Sequence, residues 1–132
     1  MTVTVASLRS AFFVVGMSIN WIDGVWTGTG FQRQYSTATI WTIKLTVDES
    51  KSAFLIEYPS LGSSGVWKLM QKESGTERYT FLELILNQRG NTVDGGKVVV
   101  TKVNDDHMSF SWFLPPSNDT VVAWSTLKRE RR

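Results

Sequence analysis

Glu83 carries the most chemical potential in this chain, because it sits inside an otherwise apolar run, Tyr79-Thr80-Phe81-Leu82-Glu83-Leu84-Ile85-Leu86. In a strand, successive side chains point to opposite faces, so Glu83 shares a face with Tyr79, Phe81 and Ile85. A carboxylate on an apolar inner face must be paired or take a raised pKa. In that state it could anchor a cationic ligand or act as a general base. Two other placements stay open: a buried ion pair with Arg33 or Lys44, or a solvent-facing Glu83 if the faces are inverted. Trp26, Gly28 and Gly30 form a second constellation on one face of an earlier strand. The glycines leave a space above the indole where a flat apolar ligand could stack. Equally, they let the strand bend sharply around a small barrel.

The remaining reactive residue types offer less. His107 is the only histidine, which excludes a multi-histidine metal site, and it reads as a turn-edge residue after Asn104-Asp105-Asp106. Asp105 and Asp106 supply too few ligands for calcium. Ser63 and Ser64 have no histidine near them in sequence. The Gly90 to Gly96 loop lacks a phosphate-binding lysine and a following helix, and Pro115-Pro116 is too short for a polyproline reader. There is no cysteine, which removes disulfides and thiolate metal sites. An enzyme is disfavoured, since no nucleophile–base pair stands out, and no cofactor or metal is implied.

Elements that position these residues follow from a period of two. At 132 residues the chain is one domain by size. From Trp21 onward apolar and polar residues alternate between closely spaced turns. The pattern predicts strands over about 25–35, around Trp41 to Val47, 53–58, 66–72, 77–86, 97–103, around Met108 to Leu114, and 120–128. Gly62-Ser63-Ser64-Gly65 is expected to turn the chain into the fourth strand, and Ser74-Gly75 to close a hairpin. Eight short strands suit an all-β, antiparallel up-and-down barrel over 21–132, which has no free edges. A two-sheet sandwich is the alternative. Residues 1–20 form an N-terminal appendage that could be a helix with Leu8, Phe12, Val15 and Ile19 on one face, or a strand over 11–15. Arg9 and the apolar run after it resemble a weak signal peptide, but no small-x-small cleavage site follows. The run is too short to span a membrane. A retained appendage and a cytoplasmic location are expected, with export as the alternative.

Charge narrows the partners. The net charge is +2, but the last five residues hold four bases and one acid, and without them 10 bases face 11 acids. The basic character belongs to the tail, so no nucleic-acid footprint is expected on the body. The strand around Leu82, Leu84 and Leu86 is apolar on both faces, whereas a simple barrel strand should be polar outside. Its outer face should be covered by residues 1–20 or by a second copy in a homodimer.

The Gly24-Val25-Trp26 start, the eight strands and Arg129 near the end of the last strand resemble the calycins, the group of lipocalins, fatty-acid-binding proteins and avidins. The resemblance implies that Trp26 packs beneath Arg129, or beneath Lys128 if the register slips by one, closing one end of the barrel. The segments from Tyr58 to Trp67 and from Gly90 to Gly96 are also similar to a largely uncharacterised family of small bacterial β-domains. In that pattern cysteines usually occupy the positions of Ser63 and Thr92, so their joint absence is consistent with loss of a disulfide and with a reducing compartment. A small bacterial protein, alone or carried on a mobile element, fits this picture. The expected function is non-catalytic binding of a small apolar or cationic molecule. Trp26, Gly28, Gly30, Trp41, Phe81, Phe110 and Trp112 would form the walls, and Glu83 the anchor. The alternative is a protein-interaction module or homodimer with a solid core.

Overall fold

Alternation along the chain produces the strands, and their closure buries one face of all of them. The computed structural model describes residues 20–34, 37–88 and 92–131. The strands are β1 (Gly24–Gln34), β2 (Thr37–Asp48), β3 (Ala53–Tyr58), β4 (Ser63–Glu73), β5 (Arg78–Asn87), β6 (Lys97–Asn104), β7 (His107–Phe113) and β8 (Val121–Arg129). Each pairs antiparallel with the next, and β8 returns to pair with β1, which makes a closed barrel rather than a sandwich. Closure gives every backbone edge a partner.

In β2, Trp41, Ile43, Leu45 and Val47 are buried while Thr42 is exposed. In β7, Met108, Phe110 and Trp112 are buried between half-buried neighbours. An eight-stranded barrel is about wide enough for its own side chains, and here aromatic rings interlock across it. Phe81 meets Phe54 at 4.9 Å and Trp67 at 5.0 Å between ring centroids. Trp67 stacks on Phe110 at 6.0 Å.

Apart from β3, strand bounds shift by one to several residues from the sequence reading, β2 for instance starting at Thr37, and two of the shifts have a cause in the turn before the strand. The fourth strand starts at Ser63, not Val66, because a 3-10 turn over Pro59–Leu61 and a left-handed Gly62 (φ 67°) already reverse the chain. Gly65 is therefore a strand residue at a register shift, where a Cβ would lie 2.0 Å from the Leu84 carbonyl oxygen. The fifth strand starts at Arg78, since Glu77 adopts a left-handed φ of 52° and belongs to the turn.

The β5 side chains divide as the alternation requires. Tyr79, Phe81 and Glu83 are buried inside, Leu82 and Leu84 are half-buried outside, and Leu86 is exposed. The expected appendage lies outside the described residues apart from Asn20, whose carbonyl accepts a turn hydrogen bond from Asp23 N–H at 3.0 Å. No helix among the described residues is long and apolar enough to cross a membrane.

Candidate functional site

The barrel has two distinct ends, set by which residues sit at the strand termini. At the end where β1 begins and β8 finishes, Trp26 is the cross-strand partner of Arg129. The guanidinium carbon lies 4.3 Å from the Trp26 ring centre, a cation–π contact. Arg129 also donates to three backbone carbonyls: Nε to Asp105 at 3.0 Å, Nη2 to Trp21 at 2.5 Å, and Nη1 to Asp23. The Trp26 indole N–H donates to the Ile22 carbonyl at 2.9 Å. Gly24 is required here, because its φ is 123° and a Cβ would meet Arg129 Nη1 at 2.8 Å. Beside this plug, Glu49 accepts from Tyr79 Oη at 2.7 Å and Lys72 Nζ at 2.8 Å. Asp23 accepts from the Glu49 backbone N–H at 2.7 Å. This end is closed by side chains, and the basic residue is Arg129 rather than Lys128.

The polar centre lies further along the barrel and is built around Glu83. Past the Leu82–Lys97 pair, β5 and the segment before β6 stay joined. Glu83 N–H donates to the Gly96 carbonyl at 2.9 Å, and Gly95 N–H to the Glu83 carbonyl at 3.0 Å. With its backbone fixed, Glu83 points inward and is 1% exposed. Oε2 accepts from Tyr58 Oη at 2.5 Å and from Trp67 Nε1 at 2.9 Å, while Oε1 accepts from Trp112 Nε1 at 3.1 Å. Trp67 is the direct cross-strand partner of Glu83, whereas Tyr58 comes from β3 and Trp112 from β7. Gly96 makes room for the third donor: a Cβ there would lie 2.4 Å from Trp112 Nε1.

No basic side chain among the described residues bonds to this carboxylate. Arg33 is exposed, and Lys44 lies on the outer face of β2 opposite Glu57, so neither forms the ion pair considered from sequence. Burial therefore pushes the Glu83 carboxyl above its ordinary range; the three donors offset only part of that, and the nearby Asp94 charge adds to it. Tyr58 is pushed well above the usual phenol range, by burial first and then by the Glu83 charge and hydrogen bond, so the shared proton stays on the phenol. The arrangement meets a buried carboxyl group in apolar surroundings with neutral donors.

The structure brings Phe81, Glu83, Phe110 and Trp112 together around this centre, with Trp41 joined to it edge-on through Tyr58 at 6.3 Å. Trp26 belongs to the plugged end instead. The spaces left by glycines on β1 hold neighbouring side chains: a Cβ on Gly30 would lie 2.5 Å from Trp41 Cε2, and one on Gly28 would lie 2.8 Å from Leu127 Cδ2. Tyr58 and Trp67 were not singled out from sequence as partners of Glu83. Alternation in β3 and β4 turns both side chains inward in the structure, and their approach to Glu83 follows from closure. Ser63 Oγ and Thr92 Oγ1 lie 2.5 Å apart, close enough to share a hydrogen bond. No protein-family profile matches this chain, and no curated protein matches it.

Proposed function

We propose that this protein is a non-catalytic binding barrel that takes a small apolar or cationic molecule against the Glu83 centre, with the cationic version favoured. The observation that carries this reading is a carboxylate buried to 1% exposure and held by Tyr58, Trp67 and Trp112, none of which is a cation. Burying an unpaired anion costs several kcal/mol (about 3–5 when one partner of a buried pair is lost), and neutral donors offset only part of it. A bound cation would supply the missing charge, while the rings of Trp41, Phe81, Phe110 and Trp112 would face its apolar parts. Calycin kinship is part of the proposal and rests on barrel closure and the Trp26–Arg129 contact. Kinship with the small bacterial β-domains, and with it a reducing, cytoplasmic setting, rests on the Tyr58 to Trp67 segment and the Ser63–Thr92 contact.

Native mass spectrometry of freshly purified protein tests the reading. A discrete added mass, retained by the natural chain and lost in Glu83→Gln, is the expected result. Unchanged retention in Glu83→Gln removes the anchor role.

A second reading is an interaction module with a solid core. It is favoured by the indoles of Trp41 and Trp112 lying where Gly30 and Gly96 leave room, and by Leu55 and Leu86 exposed on the outside of β3 and β5. A clean dimer without added mass would support it.

A further inference from the structure

The outer surface of β2, β1, β8 and β7 is organised in rows that the interior site does not use. Phe31 on β1 is the cross-strand partner of both Ile40 on β2 and Trp124 on β8, and Trp124 in turn faces Ser111 on β7. Ile40, Phe31 and Trp124 are exposed at 64%, 41% and 45%. Isolated exposed apolar residues are ordinary, but three contiguous ones are a patch. Two residues further from the rim, Thr29 faces Thr42, and Thr126 faces Ser109. Thr29, Thr42 and Thr126 are exposed. Neither row contains an ionisable side chain. Charge flanks the two rows on both sides: Lys44 and Lys128 both face Thr27 one row closer to the Arg129 end, and exposed Arg33 lies one row beyond Phe31 toward the opposite rim.

An aromatic ledge bordered by a neutral hydroxyl shelf selects a particular chemistry. An apolar protein surface covering both rows would leave the hydroxyls without partners. A sugar ring instead presents an apolar C–H face and a hydroxyl edge together. The geometry suits it: rows two residues apart are separated by about 7 Å, and the three strands that carry Ile40, Phe31 and Trp124 span about 10 Å, room for one or two rings. We propose that this face binds a neutral glycan. Sugar rings stack on Phe31 and Trp124 while their hydroxyls meet Thr29, Thr42 and Thr126. The site is independent of Glu83.

Affinity electrophoresis of the full chain tests the proposal, in gels containing hydroxyethylcellulose, mixed-linkage glucan, xylan, galactomannan or dextran, with alginate as a charged control. Retardation by at least one neutral polymer is expected, with affinity falling at least tenfold in Trp124→Ala and in Phe31→Ala, whose circular dichroism should match the natural chain. Thr126→Val should weaken binding less. The proposal is overturned if no neutral polymer retards the protein, if Trp124→Ala binds as well as the natural chain, or if alginate alone acts, which would place contact on the lysine row. It is also overturned if sedimentation shows a concentration-dependent dimer that Trp124→Ala abolishes.

Discussion

Replacing Glu83 by Gln keeps the shape of the side chain and changes what its two terminal atoms can accept. In the folded protein Oε2 accepts from Tyr58 and Trp67, and Oε1 accepts from Trp112. Glutamine has one carbonyl oxygen, so its best orientation keeps the Tyr58 and Trp67 bonds and turns the amide N–H₂ toward the Trp112 N–H. Two bonds then lose their charge assistance, at about 1 kcal/mol each, and one buried donor is left unpaired, at about 2 kcal/mol. Removing an anion that has no cationic partner among the described residues offsets part of this, by about 2 kcal/mol if half the cost is recovered. The expected net effect at neutral pH is a loss of about 2 kcal/mol, or roughly 8 °C in Tm for a chain of this size. Urea unfolding followed by tryptophan fluorescence and circular dichroism would measure it. Glu83→Leu, which strands all three donors, should lose at least twice as much.

The pH dependence has a definite sign. The folded carboxyl lies above its ordinary 4.5, so its contribution is complete below that value and is lost as pH rises through the folded pKa. The stability gap between the natural chain and Glu83→Gln should therefore be widest in acid and narrow as pH rises. A Glu83→Gln protein as stable as the natural chain at neutral pH would refute the reasoning, because the three donors would then not repay the buried charge.

Three further outcomes follow from particular contacts. Gly65→Ala would drive a Cβ to 2.0 Å from the Leu84 carbonyl oxygen, forcing β4 from β5, so a loss of about 3 kcal/mol or more is expected in chemical denaturation. Oxidised Ser63→Cys/Thr92→Cys should form a disulfide across the 2.5 Å hydroxyl contact and raise stability by about 3 kcal/mol for a loop of this length, as a comparison with the reduced form would show. Tyr58 and Tyr79 both have pKa values raised in the fold, so their stabilising contribution is complete below the ordinary value of 10.0 and is lost as pH rises above it. In ultraviolet titration both phenols should stay protonated in native protein at a pH where they ionise in urea.

Local pattern made much of this molecule legible. Alternation placed Trp41, Ile43, Leu45 and Val47 on one face of β2 and Glu83 on one face with Tyr79 and Phe81; that this face points inward is decided by the structure. The Trp26–Arg129 contact was implied by resemblance at the correct register. Turn chemistry was less legible. Four small residues, Gly62 to Gly65, look like one loop, yet only Gly62 turns the chain; Gly65 is glycine because β5 passes against it. The Gly95-Gly96 pair likewise reads as loop sequence, although Gly96 is the clearance that lets Trp112 reach Glu83.

The sequence by itself determined eight strands and placed a lone carboxylate on one strand face with Tyr79, Phe81 and Ile85, because a period of two and turn residues act over a few neighbours. Tertiary structure alone decided which groups hold that carboxylate. Tyr58, Trp67 and Trp112 lie 25, 16 and 29 residues from Glu83, and no local rule distinguishes them from the other inward aromatics. They meet it because closing eight strands fixes the stagger between them, and that stagger sets which inward side chains share a level of the barrel.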